Sequence, residues 1–306
     1  MILTTLNELV EQISHEQKQN DVAVAAAADL EVLEAVHMAI TRNIARFTLF
    51  DEEVKLRQMI SEHYPELLNH PKVRLINVKG AVQAANAAVK SVFVKDSNVL
   101  MKGHIATAVL LKAVLNEEYG LRTGNILSHV AAFEIQGFDR LIYITDAGMN
   151  ITPDLKQKAQ IIRNAAQIAR SVGVEMPVVA PLAAVEVVNP AMPATLDAAA
   201  LSAMNRRGQI KGCIVDGPLA LDNAISTLAA AHKGITGETA GKADILVVPN
   251  IEAGNILYKS LVYFAQAKVG GVIAGAKAPI VLTSRADSAE SKLYSLALAI
   301  KSAATE

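Results

Sequence analysis

The sequence predicts an α/β fold with mainly parallel sheets. Strand-like and helix-like segments alternate along almost the whole chain, which is typical of parallel strands joined by helical crossovers. The strand-like segments are short apolar runs such as DVAVAAAA, as expected for buried strands. Polar turns follow these runs and carry helix-capping residues. Together these patterns predict helices on both faces of the sheets.

The first part of the chain has an initial helix within residues 3–18, followed by four strand–helix pairs. Asp29 and Asp51 are the predicted N-caps of the helices after the first two strands. Gly80 precedes an Ala-rich helix, and the last helix of this part is predicted from about His104 to Glu118. The four strands are predicted at 21–28, 47–50, 73–79 and 99–103.

A polar segment at 118–125 is the best domain boundary, after which the alternation resumes. The runs at 129–135 and 141–146 are predicted to be neighbouring strands. Thr152 is the predicted cap and Pro153 the first-turn proline of a helix that ends at residue 171. The chain closes with a strand at 244–249, a helix at 253–266, a strand at 279–283 and a helix at 287–303.

Composition excludes several classes of protein. The chain of 306 residues is 52% hydrophobic and 19% charged, which allows a large core. Its 29 basic and 30 acidic residues are spread evenly, and aromatics make up 4%, so no nucleic-acid surface is expected. No uncharged apolar run reaches the roughly 18 residues of a membrane span. The N-terminal segment does not resemble a secretory signal, and a cytoplasmic protein is predicted.

The segment VLTSRADS at 281–288 is the strongest candidate for a catalytic site. It places Ser284, Arg285 and Asp287 between a strand and the final helix. The start of a helix binds anions, and the planar arginine fork suits phosphate oxygens. The alternative is that Ser284 or Asp287 only caps the final helix.

Three other turns hold candidate substrate-binding residues. The turn after the strand at 244–249 offers Glu252, Gly254, Asn255 and Lys259, of which Gly254 would let the backbone approach a ligand. The alternative is an ordinary strand–helix turn with a solvated lysine.

Lys102, Gly103 and His104 stand at a predicted helix start, where Lys102 is a candidate anion contact. Asp146 stands at the end of the strand predicted at 141–146. The alternative to a binding role for Asp146 is a tight turn with a cap. Because no second acidic cluster lies near Asp146 in sequence, no metal site is predicted. A single histidine such as His104 is more often structural than catalytic.

Several catalytic signatures are missing from the sequence. GxxxxGK[ST], GxGxxG after a strand and GxSxG are all absent, which argues against P-loop, dinucleotide-binding and hydrolase sites. The single cysteine, Cys213, excludes an internal disulfide, and its apolar surroundings predict a buried side chain rather than a nucleophile.

The sequence resembles a known family, the phosphate acyltransferases that act on acetyl or butyryl groups. The resemblance is greatest to the butyryl branch of this family. The resemblance covers nearly the whole chain, with the same motifs in the same order. The motifs are ITDAGMNITPDL (144–155), VEVVNPAMPATLDAAALSAMNRRGQIKGCIVDGPLALDNA (185–224), AHKGI (231–235), ADILVVPNIEAGN (243–255) and GAKAPIVLTSRADS (275–288).

This resemblance implies a reversible reaction in which acyl-CoA and phosphate give acyl phosphate and CoA. It also implies an isocitrate/isopropylmalate dehydrogenase-like fold with two domains, 1–125 plus 275–306 and 126–274, and an active site in the cleft between them. Its expected ligands are acyl-CoA, phosphate and acyl phosphate, with no cofactor beyond CoA as substrate. A homodimer or a higher homo-oligomer is expected.

The resemblance assigns the family's catalytic pair to Ser284 and Arg285. The family's acetyl-specific enzymes place an aspartate seven residues after that serine as base for the CoA thiol, whereas this chain has Ser291 there. Asp287 is the predicted substitute and Glu290 the second choice. Arg285 or amides of the final helix would hold the oxyanion that forms at the carbonyl.

Three alternatives stay open at this stage. The first is the same chemistry on acetyl or propionyl groups, because one methylene is worth only about 1–3 kcal/mol of discrimination. The second is a metal- and NAD-dependent decarboxylating dehydrogenase on the same fold. The third is a non-catalytic CoA-binding module.

Overall fold

A computed structural model describes residues 3–17, 19–282 and 287–304. The strands are β1 Asp21–Ala25, β2 Arg46–Asp51, β3 Val73–Asn77, β4 Val99–Lys102, β5 Ser128–Glu134, β6 Ile142–Thr145, β7 Val178–Pro181, β8 Ile214–Val215, β9 Ile245–Val247, β10 Lys268–Ala274 and β11 Ile280–Val281. The helices are α1 Leu6–His15, α2 Leu30–Thr41, α3 Glu53–His63, α4 Ala81–Phe93, α5 Thr107–Val114, α6 Leu155–Ser171, α7 Pro193–Arg206, α8 Leu221–Ile225, α9 Thr227–His232, α10 Ile251–Tyr263 and α11 Ala289–Ala303, with a 3-10 turn at Pro65–Leu67.

Contacts divide the chain into two compact units. The first unit comprises Leu6–Asn125 and Gly270–Glu306, and the second comprises Met1–Thr5 and Ile126–Val269. None of the helices in the described segments is both long and apolar enough to cross a bilayer.

The first unit has strands in the order β3-β2-β1-β4-β11-β10. Pairing is parallel from β3 to β11, and only β10 runs antiparallel to its neighbour β11. The side chains of β1 from Val22 to Ala25 are fully buried, which explains why this strand is a continuous apolar run. The parallel strands all end at one edge, so the turns after β1, β2 and β4 lie together.

The second unit has the strand order β5-β6-β9-β7-β8. The first pair, β5 and β6, is antiparallel, and the pairs β6-β9, β9-β7 and β7-β8 are parallel. The core around Phe133, Ile144 and Leu246 is covered by one face of α10. The predicted α/β class with mainly parallel strands is therefore confirmed, and so is the predicted pairing of the strands at 129–135 and 141–146.

Several helix starts differ from the sequence prediction. Asp29 does cap α2, since its carboxylate accepts a hydrogen bond from the Val32 amide. Asp51 does not cap α3: Glu52 occupies that position, and the Asp51 carboxylate instead accepts from the Ala28 amide at 2.8 Å. Its other carboxylate oxygen accepts from the adjacent Glu52 amide at 2.8 Å, so Asp51 joins the turn after β1 to the residue before α3.

The starts of α6, α5 and α11 also lie elsewhere than predicted. Asp154, rather than Thr152, caps α6, because it forms a reciprocal capping box with Gln157. The helix predicted from His104 to Glu118 is only Thr107–Val114, so residues 103–106 form a turn. Ser288, rather than Ser284 or Asp287, caps α11 by accepting from the Ser291 amide.

Candidate active site

A cavity of about 450 Å³ in the first unit lies beside the carboxyl-terminal ends of β1 and β4. This edge is where open α/β sheets bind their ligands, and the volume is in the range of small-molecule sites. The cavity is lined by Ala28, Asp29, Leu30, Glu31, Val32, Lys55, Met59, Lys102, Gly103, His104 and Lys292. Three of the sequence-predicted binding residues, Lys102, Gly103 and His104, therefore line one site.

The start of α2 forms one wall of this cavity. Asp29 accepts from the Val32 amide at 3.1 Å through Oδ1, and its Oδ2 lies 3.1 Å from Nδ1 of His104. The remaining amides of the first helical turn form the positive end of the helix dipole, which favours an anion. His104 is half-exposed, so Asp29 orients a ring that remains accessible to a ligand.

The turn after β4 is held tightly against the turn after β1. The Gly103 amide donates to the Ala25 carbonyl at 2.8 Å. A Cβ atom on Gly103 would stand 2.0 Å from the Ala26 carbonyl oxygen, so no other residue fits without moving the backbone. Lys102 is buried, and its Nζ donates to the carbonyls of Gly103 at 3.1 Å and Ile105 at 3.2 Å. The two turns thus hold a lysine at a fixed place in the cavity wall.

Lys292, near the start of α11, also lines this cavity. It is 2% exposed, and its Nζ lies 2.8 Å from Oε2 of Glu31 on α2. The same ammonium group donates to the backbone carbonyl of Asp287. Asp287 therefore sits beside the cavity wall. Ser284 and Arg285, the predicted catalytic pair, lie outside the described residues.

The residues that line this cavity carry three positive and two negative charges when His104 is counted as neutral. Lys55, Lys102 and Lys292 line it together with the carboxylates of Asp29 and Glu31. Two of these lysines are buried, where charge interactions are stronger than in water. A phosphate group is the kind of ligand that such a lining attracts.

The alternative bases near α11 differ in what they contact. The carboxylate of Glu290 accepts a hydrogen bond from the Tyr294 hydroxyl at 2.7 Å. Ser291 donates its amide to Ser288 Oγ at 3.1 Å as part of the helix cap. Tyr294 thus engages the Glu290 carboxylate, and the choice between Asp287 and Glu290 as the base stays a prediction.

One of the predicted binding residues in the second unit, Asp146, forms a structural turn, and another, Gly254 of α10, packs against that turn. Asp146 is 2% exposed, and its carboxylate accepts from the amides of Gly148, Met149 and Asn150 at 2.9, 2.9 and 3.2 Å. A Cβ atom on Gly254 would stand 2.8 Å from the Asp146 carbonyl oxygen. The close approach predicted at Gly254 is therefore made to this turn.

The other predicted residues of α10, Glu252, Asn255 and Lys259, are exposed on one side of that helix. Asn250 caps the helix by accepting from the Ala253 amide at 3.0 Å. Whether these side chains contact a substrate stays a prediction. No group of three or more metal-ligating side chains comes together among the residues that the structure describes.

Cys213 is buried as predicted, with 5% exposure. Burial raises the pKa of its thiol to about 11, against the opposing effect of Arg163 and Arg170. The thiol is therefore protonated at neutral pH, which fits a packing role rather than a nucleophilic one.

The sequence analysis did not identify Lys292, Glu31 or Lys55 as site residues. Lys292 and Glu31 are 261 positions apart, so no local pattern joins them. The sequence around Lys292 includes the polar residues Glu290, Ser291 and Ser295, so it does not mark this lysine as buried.

Known proteins resemble this chain over most of its length. A family model described as "Phosphate acetyl/butaryl transferase" matches residues 57–300. A relative from Bacillus subtilis (strain 168), named "Probable phosphate butyryltransferase", is 56% identical over 92% of this chain and 93% of its own. A "Phosphate acetyltransferase" from Thermotoga maritima is 48% identical over 96% of this chain and 98% of its own.

A solved structure of a similar protein has the same fold. The crystal structure of a branched-chain phosphotransacylase from Enterococcus faecalis V583 superposes with a TM-score of 0.82 at 37% identity, covering 93% of this chain and 99% of that one. The protein is thus an α/β acyltransferase. It belongs to the phosphate acetyl/butyryl transferase family, as the motifs in its sequence predicted.

Proposed function

We propose that this enzyme transfers an acyl group reversibly between coenzyme A and inorganic phosphate, with a butyryl group as the preferred acyl chain. The observation that carries the proposal is a cavity lined by Lys102, His104 and Lys292 at the start of a helix, in a chain that belongs to this family. Its ligands would be acyl-CoA, phosphate and acyl phosphate, with no further cofactor.

The proposed chemistry is a direct transfer. In one direction the CoA thiolate attacks the carbonyl carbon of the acyl phosphate, a tetrahedral oxyanion forms, and phosphate leaves as the thioester forms. A free thiol has a pKa of about 8.5, so a base that removes its proton speeds the attack. In the other direction a phosphate oxygen attacks the thioester carbonyl, and the thiolate leaves.

Each residue of the site has a proposed role. Lys102, Lys292 and the amides at the start of α2 bind the phosphate oxygens, and His104, oriented by Asp29, donates a further hydrogen bond. Asp287 is the proposed base, and Ser284 and Arg285 keep the roles that the sequence assigns them. The binding roles of Asp146, Glu252, Gly254, Asn255 and Lys259 stay predictions.

The proposal also includes a dehydrogenase-like architecture with an active-site cleft, domain limits at 125 and 275, and a homodimer or higher homo-oligomer.

The alternative with the strongest support is a preference for acetyl groups. Relatives named as butyryl and as acetyl transferases each match the chain over more than nine-tenths of its length. The size of the acyl pocket decides between them.

The test is the phosphate-dependent release of CoA from acetyl-, propionyl- and butyryl-CoA, followed with a thiol reagent. We expect kcat/KM to be highest for butyryl-CoA. Release that does not depend on phosphate would contradict the proposal, and a higher kcat/KM for acetyl-CoA would favour the alternative. NAD reduction with and without a chelator tests the dehydrogenase alternative.

Substitutions test the residue roles. Arg285→Ala should lower kcat at least about tenfold, the usual scale for an oxyanion donor. Lys102→Met should raise KM for phosphate, whereas Lys156→Met, at an exposed position on α6, should not. If Asp287→Asn has the same pH–rate profile as the parent, Asp287 is not the base.

A further inference from the structure

The turn between β1 and α2, residues 26–29, is strained at Ala26. The φ angle of Ala26 is 58°, in the left-handed region that residues with a side chain rarely adopt. Glycine adopts this conformation without strain, but the chain has an alanine here, and it is buried. Strain of this kind persists only where the surroundings fix the backbone, and it is common at functional sites. The turn leads directly into residues 28–32, which line the cavity of the first unit.

Backbone hydrogen bonds fix the first part of this turn. The Ala26 amide donates to the Phe50 carbonyl on β2 at 2.9 Å, and the Ala26 carbonyl accepts from the His104 amide at 2.7 Å. Gly103, which has no Cβ atom, leaves the space that this carbonyl occupies. The strained residue therefore joins the end of β2 to the turn after β4, where Gly103 and His104 line the cavity.

The side chain of Asp51 fixes the second part of the turn. Asp51 is the last residue of β2, and its Oδ2 accepts from the Ala28 amide at 2.8 Å. Within the described residues no other side chain forms a hydrogen bond with the backbone of residues 26–28. An ionised carboxylate forms stronger hydrogen bonds with amides than a neutral acceptor does. Asp51 is therefore the side chain that holds the strained turn in place.

Asp51 acts on the cavity through the start of α2. It is not among the residues that line the cavity, so it does not contact a ligand there. The Ala28 amide that it holds belongs to the residue directly before Asp29. Asp29 caps α2 and also lies 3.1 Å from Nδ1 of His104. A shift of Ala28 would therefore move both the first amides of α2 and the ring of His104.

The second hydrogen bond of Asp51 ties α3 to the same point. Its Oδ1 accepts from the Glu52 amide at 2.8 Å, and Glu52 is the N-cap residue of α3. Lys55, in the first turn of α3, is exposed and lines the cavity. One carboxylate thus joins the starts of two helices whose first turns both contribute to the cavity wall.

We propose that Asp51 is a positioning residue for phosphate. By holding the Ala28 and Glu52 amides it keeps the strained turn at Ala26 in place, so that the first turns of α2 and α3 present their groups to one anion. This inference rests on the phosphate site of the proposed function. Because the strain lies at Ala26, a glycine at that position lowers the need for the carboxylate. The effects of substitutions at positions 26 and 51 should therefore be coupled.

The experiment measures CoA release at varied phosphate concentration for Asp51→Ala, Ala26→Gly and the double variant. Asp51→Ala should raise KM for phosphate at least about tenfold with a smaller change in kcat, because a misplacement of about 1 Å weakens an oriented contact strongly. Ala26→Gly alone should keep KM within about twofold of the parent value, since glycine adopts this φ freely. In the double variant KM should return to within about threefold of the parent value.

Two further variants serve as controls. Asp51→Asn keeps the shape of the side chain and one acceptor oxygen, so its KM for phosphate should lie between the values for the parent and Asp51→Ala. Asp21→Ala removes an aspartate at the first residue of β1, where it pairs with Arg46 at 2.7 Å, and it should keep the parent KM. If Asp51→Ala does not fold, Asp51→Asn with and without Ala26→Gly replaces it in the comparison.

Thermal unfolding with and without inorganic phosphate gives a second readout that does not need turnover. The rise in Tm with phosphate should be smaller for Asp51→Ala than for the parent and should be regained in the double variant. A folded Asp51→Ala with the parent KM and the parent rise in Tm would overturn this inference alone. So would a double variant as impaired as Asp51→Ala, because glycine would then not have replaced the carboxylate. A parent protein that phosphate does not stabilise would overturn the phosphate site together with this inference.

Discussion

Lys292 gives the sharpest test of the first-unit cavity. It is 2% exposed and bridges Glu31 on α2 and the backbone carbonyl of Asp287. Lys292→Met keeps the length and most of the volume of the side chain and removes its charge. The effects on folding and on phosphate binding can therefore be estimated separately.

For folding, two opposing terms nearly cancel. Each hydrogen bond from the ammonium group contributes about 1.5–3 kcal/mol, and burying the ion costs several kcal/mol. Glu31 is half-exposed, so its carboxylate returns to water without a large penalty. We expect the free energy of unfolding to change by less than about 2 kcal/mol in either direction.

For binding, one of the three lysine charges on the cavity wall is lost. At an effective dielectric constant of about 20, a unit charge about 6 Å from a phosphate charge contributes at most about 3 kcal/mol. Part of this attraction is already offset by Glu31. We expect KM for phosphate to rise about ten- to a hundredfold, with a smaller change in kcat.

The assay is CoA release at varied phosphate concentration, with thermal unfolding measured on the same samples. The control is Lys301→Met, on the same helix, where the lysine is also mostly buried and pairs with Glu16 but does not line the cavity. This variant should keep the parent KM. If Lys292→Met folds and its KM for phosphate stays within about twofold of the parent value, the cavity is not the phosphate site.

Other predictions follow from packing and titration. Gly254→Ala should lower stability by about 1–3 kcal/mol in thermal unfolding, since its Cβ would stand 2.8 Å from Asp146 O. Burial raises the pKa of Asp244 above 3.8, and the Val178 amide and Arg140 oppose this shift. The folded protein therefore binds this proton more tightly than the unfolded chain does. The contribution of Asp244 to the free energy of unfolding is fully present below pH 3.8 and is lost as pH rises through the folded-state pKa. Asp244→Asn should remove this pH dependence from the midpoints of urea unfolding. Cys213, with a pKa of about 11, should react with a thiol reagent at pH 8 only after denaturant is added, and labelling of the native protein would contradict its burial.

Among the secondary-structure elements, those with strong local signals were predicted well. The apolar run at 21–28 contains β1, and Asp29 caps α2 as expected. The strand β10 at Lys268–Ala274 was not predicted, because its two central glycines, Gly270 and Gly271, resemble a turn. The structure gives a physical reason for Gly270: a Cβ atom there would stand 2.8 Å from the backbone of Tyr294 on α11. A glycine needed for close helix–strand packing cannot be told from a turn glycine by sequence.

The candidate site was predictable in part. Lys102, Gly103 and His104 line the cavity at the carboxyl end of β4, where the sequence placed a possible anion contact. Asp146 was also singled out, and its carboxylate engages three amides of its own turn. A polar residue after a strand has the same sequence pattern whether it faces a ligand or its own backbone.

The sequence by itself determined the α/β class, the family and the kind of reaction, because apolar periodicity, capping residues and the order of motifs are all local in the chain. Only the tertiary structure decided which charges meet. His104 faces Asp29 across 75 positions, and Lys292 faces Glu31 across 261. Such pairs form when parallel strands and their helices bring distant turns to one edge of a sheet, and that arrangement depends on packing of the whole unit.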